Sequence, residues 1–346
     1  MSAFLALEDG SVFRGRSVGR EGVAFGEAVF ATSMTGYQEV VTDPSYAQQI
    51  VCFTTPMVGN YGVADARSES EHVHARGVVM RRAGAEWSHW LLERAAVALD
   101  DVDTRSLVLH LRERGAMRAA AVAGTASRAF VLEQLRSYPP MAGRSLVDGV
   151  STRAAYSVGA GGPRIAVVDL GCKRSIVRRV VAAGARALVY PHDTEAKTIL
   201  AGRPDGVLLS NGPGDPAALT AEIGVVRELL GRVPLLGICL GHQLLALAAG
   251  LRTFKLPFGH RGANHPVLEE KTGRVLVTAQ NHGFAVEASG PAVTHVSLYD
   301  GTVEGLALPG LAARSVQFHP EACPGPHDAR PLLERWVEEV HLAAAA

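Results

Sequence analysis

The sequence predicts an α/β protein in two parts, a strand-rich α+β N-terminal domain followed by a C-terminal domain built on a parallel sheet. Three observations carry this. From Arg164 onward, short apolar runs alternate with helix-period patterns, the texture of strand and helix units that form a parallel sheet wrapped by helices. Before residue 150 the apolar runs are short and punctuated by Gly and Pro. Between them, from Ser137-Tyr138-Pro139-Pro140 to Gly159-Ala160-Gly161-Gly162-Pro163, the chain is rich in Gly, Pro and Ser and has no sustained period. The expected organisation is a domain over 1–150, a linker over 151–162 and a second domain over 163–346. A length of 346 residues fits two domains at roughly 150 residues each.

Taken in order, residues 3–7, 27–30, 50–54 and 77–80 read as strands and 106–114 as a helix. In the second domain Arg164–Asp169 is a buried-strand run. Ile176, Val177, Val180 and Val181 then recur at helical spacing up to Gly184, a C-cap candidate. The unit repeats as a strand at 187–190, a helix at 196–201, a strand at 206–210, a helix at 217–230, a strand at 234–239 and a helix at 241–249. Beyond Leu251, shorter alternating runs at 274–279, 293–298 and 314–318 suit hairpins or edge strands. No repeat of 20 to 50 residues is visible, which removes solenoids and propellers.

Composition narrows the function. Lys plus Arg number 34 and Asp plus Glu number 34, so no long-range field favours a polyanion, and neither nucleic acid nor a membrane is an expected partner. Four cysteines are too sparse for a disulfide scaffold and form no C-x-x-C pair, which suits a reduced, cytoplasmic compartment. The opening residues lack a basic n-region, and no apolar run approaches the ~18 residues of a membrane span. Neither a phosphate-binding G-x-x-x-x-G-K-[ST] string nor a dinucleotide fingerprint is present, so no cofactor is expected in this chain.

The strongest chemical signal is Gly237-Ile238-Cys239-Leu240-Gly241, where a buried strand runs into a helix. Glycines on both sides of a Cys permit the tight turn that lifts a nucleophile out of a sheet. The helix N-terminus favours thiolate, and the N–H of Leu240 points where an oxyanion would form. An isolated buried Cys is more often inert; the paired glycines set this one apart. A thiol needs a base and the base an orienting carboxylate, and His319-Pro320-Glu321 offers both, since residues i and i+2 of an extended segment face the same way. Cys172 also follows a glycine at a strand-to-helix turn, beside Lys173 and Arg174, but lacks the second glycine and reads as a packed turn residue. Cys323 and His327 lie on an irregular, proline-rich path with no further ligand cluster, so no metal is expected. Asn211-Gly212-Pro213-Gly214-Asp215-Pro216 follows a strand and falls where open parallel sheets form their ligand crevice. Gln280-Asn281-His282-Gly283-Phe284 is a similar polar cluster.

Gly237-Ile238-Cys239-Leu240-Gly241-His242-Gln243 and His319-Pro320-Glu321 together resemble the nucleophile and base motifs of class I, triad-type glutamine amidotransferases. More narrowly, the whole chain resembles the small, glutamine-hydrolysing subunits of carbamoyl-phosphate synthases. In the first half this rests on Ser33-Met34-Thr35-Gly36-Tyr37-Gln38-Glu39, Thr42-Asp43-Pro44-Ser45-Tyr46, Gly59-Asn60-Tyr61-Gly62 and Asp103-Thr104-Arg105. In the second it rests on Ser210 to Pro216, on 258–267 (FGHRGANHPV), on 280–286 (QNHGFAV) and on Pro324-Gly325-Pro326-His327-Asp328. Departures are small: Cys323 stands where serine is common, and Ser175-Ile176 replaces the usual Asn-Ile.

The resemblance implies a catalytic triad of Cys239, His319 and Glu321. It implies that L-glutamine is held by Ser45 from the N-terminal domain, Gly212, Gly214, Leu240, Gln243, Asn281, Gly283 and Phe284. It implies ammonia passed to a large synthetase subunit, which with ATP, magnesium and bicarbonate completes carbamoyl phosphate for arginine and pyrimidine synthesis. A glutaminase serving a guanylate- or anthranilate-type synthetase, a stand-alone gamma-glutamyl hydrolase and a non-enzymatic docking module are the alternatives. The N-terminal strings argue against the other enzymes, and the complete triad argues against the module.

Overall fold

The structure, a computed structural model, describes residues 2–345; Met1 and Ala346, which the expected domain ranges include, lie outside the described residues. The chain forms two compact units, one running to Ala142 and including Pro257–Gly262, the other comprising Gly143–Leu256 and the chain from Ala263.

In the first unit, β1 (Ser2–Leu7), β2 (Val12–Ser17), β3 (Gly22–Ala31), β4 (Gln49–Phe53), β5 (Gly77–Val79), β6 (Val97–Asp100) and β7 (Met117–Ala123) close into a barrel in the order β1-β2-β6-β5-β4-β3-β7. Strands β3 to β6 pair in parallel and the others antiparallel. Closure removes the unpaired edges that an open sheet would present. Alternation along β7 sorts its side chains: Ala119, Ala121 and Ala123 join Leu5, Ile50, Cys52, Val79 and Leu99 in one buried cluster. Ala120 and Val122 pack instead against Val131 and Leu135 of a helix at Arg128–Ser137. The sequence suggested one helix here, and the described residues of the unit form four: α1 (Tyr37–Thr42), α2 (Ala85–Glu93), α3 (Thr104–Arg114) and α4, the Arg128–Ser137 helix just described. Trp87, Trp90 and Leu91 of α2 are buried at i, i+3 and i+4, a helical spacing that the sequence does display.

The second unit is a ten-stranded sheet. Its elements are β8 (Tyr156–Val158), β9 (Arg164–Asp169), α5 (Arg174–Ala182), β10 (Arg186–Pro191), α6 (Ala196–Ala201), β11 (Gly206–Leu209), α7 (Thr220–Leu229), β12 (Leu235–Ile238) and α8 (Leu240–Ala248). They continue with β13 (Arg252–Glu269), β14 (Arg274–Glu287), β15 (Val293–Ser297), β16 (Val303–Leu308), β17 (Ala313–Val316) and α9 (Arg330–Ala345). The strand order is β14-β13-β15-β16-β17-β12-β11-β9-β10-β8, with β17, β12, β11, β9 and β10 mutually parallel. Alternate residues feed two cores. Ala166 and Val168 of β9 pack with side chains of α6, α7 and α8, whereas Ile165 and Val167 pack with α5 and α9. Burying each leucine- or valine-sized side chain contributes ~1.5–3 kcal/mol, so helices on both faces account for the uninterrupted apolar reading of these strands.

Three details differ from the sequence reading. The stretch expected as a linker, 151–162, carries β8, which pairs antiparallel with β10 and is exposed throughout, so it has no burial period to betray it. The helix expected over 217–230 is a 3-10 turn at Pro216–Ala218 followed by α7. Beyond Leu251, β13 and β14 are 18 and 14 residues long rather than short runs. Among the described residues no helix is long and apolar enough to cross a membrane.

Candidate active site

Strands β11, β12 and β17 are immediate neighbours in the order β17-β12-β11, and all three end at the same edge of the sheet. Each therefore delivers the residues after it to one place: 211–214 after β11, Cys239 after β12 and His319 after β17. Cys239 stands between β12 and α8 with φ 55 and ψ −104, a left-handed conformation that a residue with a Cβ adopts only when its surroundings enforce it. The flanking glycines make room for it. A Cβ on Gly237 would sit 2.5 Å from the Gly241 carbonyl oxygen, and one on Gly241 would sit 2.2 Å from the Leu209 carbonyl oxygen. The Gly241 N–H donates to Ser210 O at 3.0 Å and the Cys239 N–H to Val316 O at 2.9 Å, tying the turn to both neighbouring strand ends. The thiol is buried and lies 3.5 Å from the Asn281 carbonyl oxygen.

His319 and Glu321 meet in a turn just after β17, not on an extended segment as the spacing suggested. The Ala322 N–H donates to His319 O at 3.2 Å, which closes that turn. His319 Nδ1 is 2.6 Å from Glu321 Oε1, and both side chains are buried. Lys173, at the N-cap of α5, reaches the same carboxylate oxygen: its Nζ is 2.8 Å from Glu321 Oε1 and also donates to the Cys323 carbonyl. Burial opposes ionisation of Glu321, but Lys173 and then His319 overcome it and hold the carboxyl well below the usual carboxylate range. Burial likewise opposes a charged imidazole, yet Glu321 outweighs it against the contrary pull of Lys173, and His319 is raised to about 10. The Cys239 thiol adds to that rise, although among the described residues His319 Nε2 has no hydrogen-bond partner. The thiol and the imidazole are neighbours.

The other candidates fall into two groups. Gly212, Gly214, Leu240, Gln243, Asn281, Gly283 and Phe284 all lie in the second unit with the Cys239 turn. Gly212 passes so close to Leu170 O that a Cβ would approach it to 2.1 Å, and Gly214 has φ 94. Leu240 opens α8, so its N–H has no carbonyl one turn back to bind. Gln243 lies one turn further along α8 and donates from Nε2 to the Phe284 carbonyl at 2.9 Å. Phe284 O also takes His282 Nδ1 at 2.8 Å, which fixes the strand segment 281–284. Ser45 belongs to the first unit, buried in a 3-10 turn where its N–H donates to Asp43 Oδ1 at 2.9 Å. Lys173 is the residue that sequence reasoning passed over as an active-site neighbour. Its signal was faint, a lone lysine among arginines at the strand-to-helix turn two strands from Cys239.

A central parallel sheet carrying a strained cysteine at a strand-to-helix turn defines the class: residues 166–338 match the family model of glutamine amidotransferase class-I. Residues 5–121 match that of the carbamoyl-phosphate synthase small chain, CPSase domain. The chain is 46% identical to the carbamoyl phosphate synthase small chain of Escherichia coli (strain K12), with 97% of each chain covered. It is 45% identical to the same-named chain of Vibrio vulnificus (strain YJ016), covering 97% of each, and 45% identical to that of Syntrophotalea carbinolica, covering 98% of this chain and 97% of that one. The chain belongs to the carbamoyl-phosphate synthase small chain family.

Proposed function

We propose that this chain is the glutaminase subunit of a carbamoyl-phosphate synthase and that Cys239, His319 and Glu321 perform the hydrolysis. The observation that carries the reading is the convergence of three neighbouring strand ends on the Cys239 turn. In the reaction the Cys239 sulfur, its proton held on the His319 imidazolium, attacks the carboxamide carbon of L-glutamine. The oxyanion is met by the N–H of Leu240 at the start of α8 and by a backbone N–H of the Gly212–Gly214 loop. As the C–N bond breaks, the imidazolium hands its proton to the departing ammonia, leaving a glutamyl thioester. His319 then takes a proton from water, hydroxide attacks the thioester, and glutamate leaves as the thiol is restored. Glu321 orients the imidazole and stabilises its charged form, and Lys173 keeps Glu321 ionised.

Neutral ammonia is the useful nucleophile and is protonated in bulk water, so the product is best passed directly to a large subunit. That partner would bind ATP and magnesium, use bicarbonate, and serve arginine and pyrimidine biosynthesis in the cytoplasm. The test is carbamoyl phosphate synthesis by the chain reconstituted with its large subunit. Cys239→Ser is expected to abolish synthesis from glutamine and to leave synthesis from free ammonia largely intact. Glutamine hydrolysis surviving in that variant removes Cys239 as the nucleophile. Full-speed hydrolysis by the wild-type chain alone, indifferent to any partner, favours a stand-alone hydrolase instead.

A further inference from the structure

Among the described residues, one fully buried side-chain amide beside this site is bound only to another amide. Gln317 follows β17, and its Oε1 accepts from Gln243 Nε2 at 3.0 Å. Gln243 Nε2 also donates to the Phe284 backbone carbonyl at 2.9 Å. A carbonyl oxygen cannot donate, so the Gln243 atom facing Phe284 has to be nitrogen, and the Gln317 atom facing that nitrogen has to be oxygen. The orientation of both amides is dictated by chemistry. Gln317 Nε2 is left buried with no hydrogen-bond partner among the described residues, a cost that an apolar side chain of the same size would avoid. Such a cost persists where the other end of the amide is needed.

The need follows from the free end of Gln243. With Nε2 turned toward Phe284 and Gln317, its Oε1 takes no hydrogen bond among the described residues and can act only as an acceptor. Phe284 O is shared with His282 Nδ1, so Gln317 is the acceptor that serves Gln243 alone. The Gln243 N–H donates to the Cys239 carbonyl at 3.2 Å, which places the two residues one turn apart on one face of α8. That turn is about 5.4 Å along the axis. In glutamine the attacked carboxamide carbon and the α-ammonium nitrogen are four bonds apart, a matching reach. The carboxamide NH2 is bonded to the attacked carbon and stays at the sulfur, so the α-ammonium is the donor that meets Gln243.

We propose that Gln317 is a positioning residue for substrate recognition: it locks the Gln243 amide with its oxygen outward, so that the site selects amides bearing an α-ammonium group. This rests on the glutaminase reading above. If Gln317 were lost, Gln243 would sample the flipped amide, whose NH2 repels that cation.

The experiment compares L-glutamine with glutaramate, which is glutamine without its α-amino group, as substrates of the chain with its large subunit. Gln317→Met is expected to raise KM for glutamine roughly five-fold, the scale of one net hydrogen bond, with kcat little changed and kcat/KM for glutaramate unaltered. In a Gln243→Ala background the same substitution should add nothing. Gln317→Glu retains the acceptor and should keep the wild-type KM. A folded Gln317→Met enzyme with wild-type discrimination between the substrates overturns the proposal, as does equal loss on both. Should Gln317→Met not fold, Gln317→Glu decides: an unchanged KM supports the lock, and any rise overturns it. Wild-type protein inert toward glutamine would sink the glutaminase reading as well, whereas active wild type with an indifferent Gln317→Met sinks this proposal alone.

Discussion

Cys52 and Cys239 are equally buried, each 2% exposed, and nothing else about them is alike. Cys52 lies within β4 of the barrel, in regular strand geometry, and its thiol faces the Phe53 carbonyl at 3.9 Å. Burial without a compensating charge pushes its thiol well above the ordinary value. Cys239 sits at a strand end, with φ 55, a helix starting beneath it and an imidazole beside it. Depth therefore does not decide which thiol can react. What decides is whether the backbone is bent to present the sulfur and whether a base and a cation-stabilising carboxylate stand at the same edge of the sheet.

The sharpest way to break that comparison is to delete each thiol. Cys239→Ala is expected to lower glutamine turnover by at least ~10³-fold, as loss of a nucleophile does, with the fold retained. Cys52→Ala should leave turnover within about two-fold and cost ~1 kcal/mol of stability, because only one buried sulfur is removed. Turnover rates beside urea midpoints for the two variants suffice, and comparable activity loss in both would void the distinction.

A smaller effect separates the two charges that act on His319. Glu321 raises its pKa and Lys173 lowers it. In the proposed mechanism the protonated imidazole is the acid that releases ammonia, so the alkaline limb of the pH profile is expected to follow His319. Glu321→Gln removes the raising charge and should move that limb to lower pH, with turnover reduced roughly 10²-fold. Lys173→Met removes the lowering charge and should move the limb to higher pH. It also strips a buried carboxylate of its cation, which costs ~3 kcal/mol of stability. Single-turnover thioester formation across pH reads both, and limbs that move in the same direction refute this account of the pair.

Legibility in the sequence follows the same division between the two regions. Around Cys239 the alternation of apolar strand and amphipathic helix is strong: the run at Arg164–Asp169 is β9 to the residue, and Ala196–Ala201 is α6. The barrel gives weaker contrast. In β7 the alternating positions are nearly all alanine, so inward and outward faces read alike, and the six-residue α1 is too short to show a period. The elbow was readable because its chemistry is local, two glycines and a cysteine within five positions. Lys173 was not, because its partner lies 148 positions away and only the sheet order brings them together. Gln317 was hidden for the same reason, 74 positions from Gln243 in sequence and in contact through adjacent strands.

The smallest expected effect leaves activity untouched at neutral pH and concerns how the two regions tolerate acid. His242, directly after the elbow, is fully buried, with Nδ1 2.8 Å from Ser315 Oγ and, among the described residues, no partner on Nε2. Burial, helped by the neighbouring His295, lowers its pKa to about 3. In the unfolded chain the same imidazole titrates near ~6.5. Below that value the unfolded chain binds a proton that the folded chain refuses, so stability falls with falling pH, by ~2 kcal/mol at pH 5 from this residue. The other site groups do not contribute in that window. Glu321 remains ionised there in both states, and its stabilisation is lost only below the ordinary carboxylate range, as pH falls through its depressed value. His319, raised to about 10, keeps its full contribution below ~6.5 and loses it as pH climbs toward that value. Between pH 6.5 and 5, amide-exchange protection should therefore weaken in β12, α8 and β17 before it weakens in the parallel strands of the barrel, and His242→Asn should flatten the acid slope of the melting temperature. An unchanged slope in that variant would place the acid sensitivity elsewhere, with the partly buried His74 of the first unit, also lowered by burial, as the next group to test.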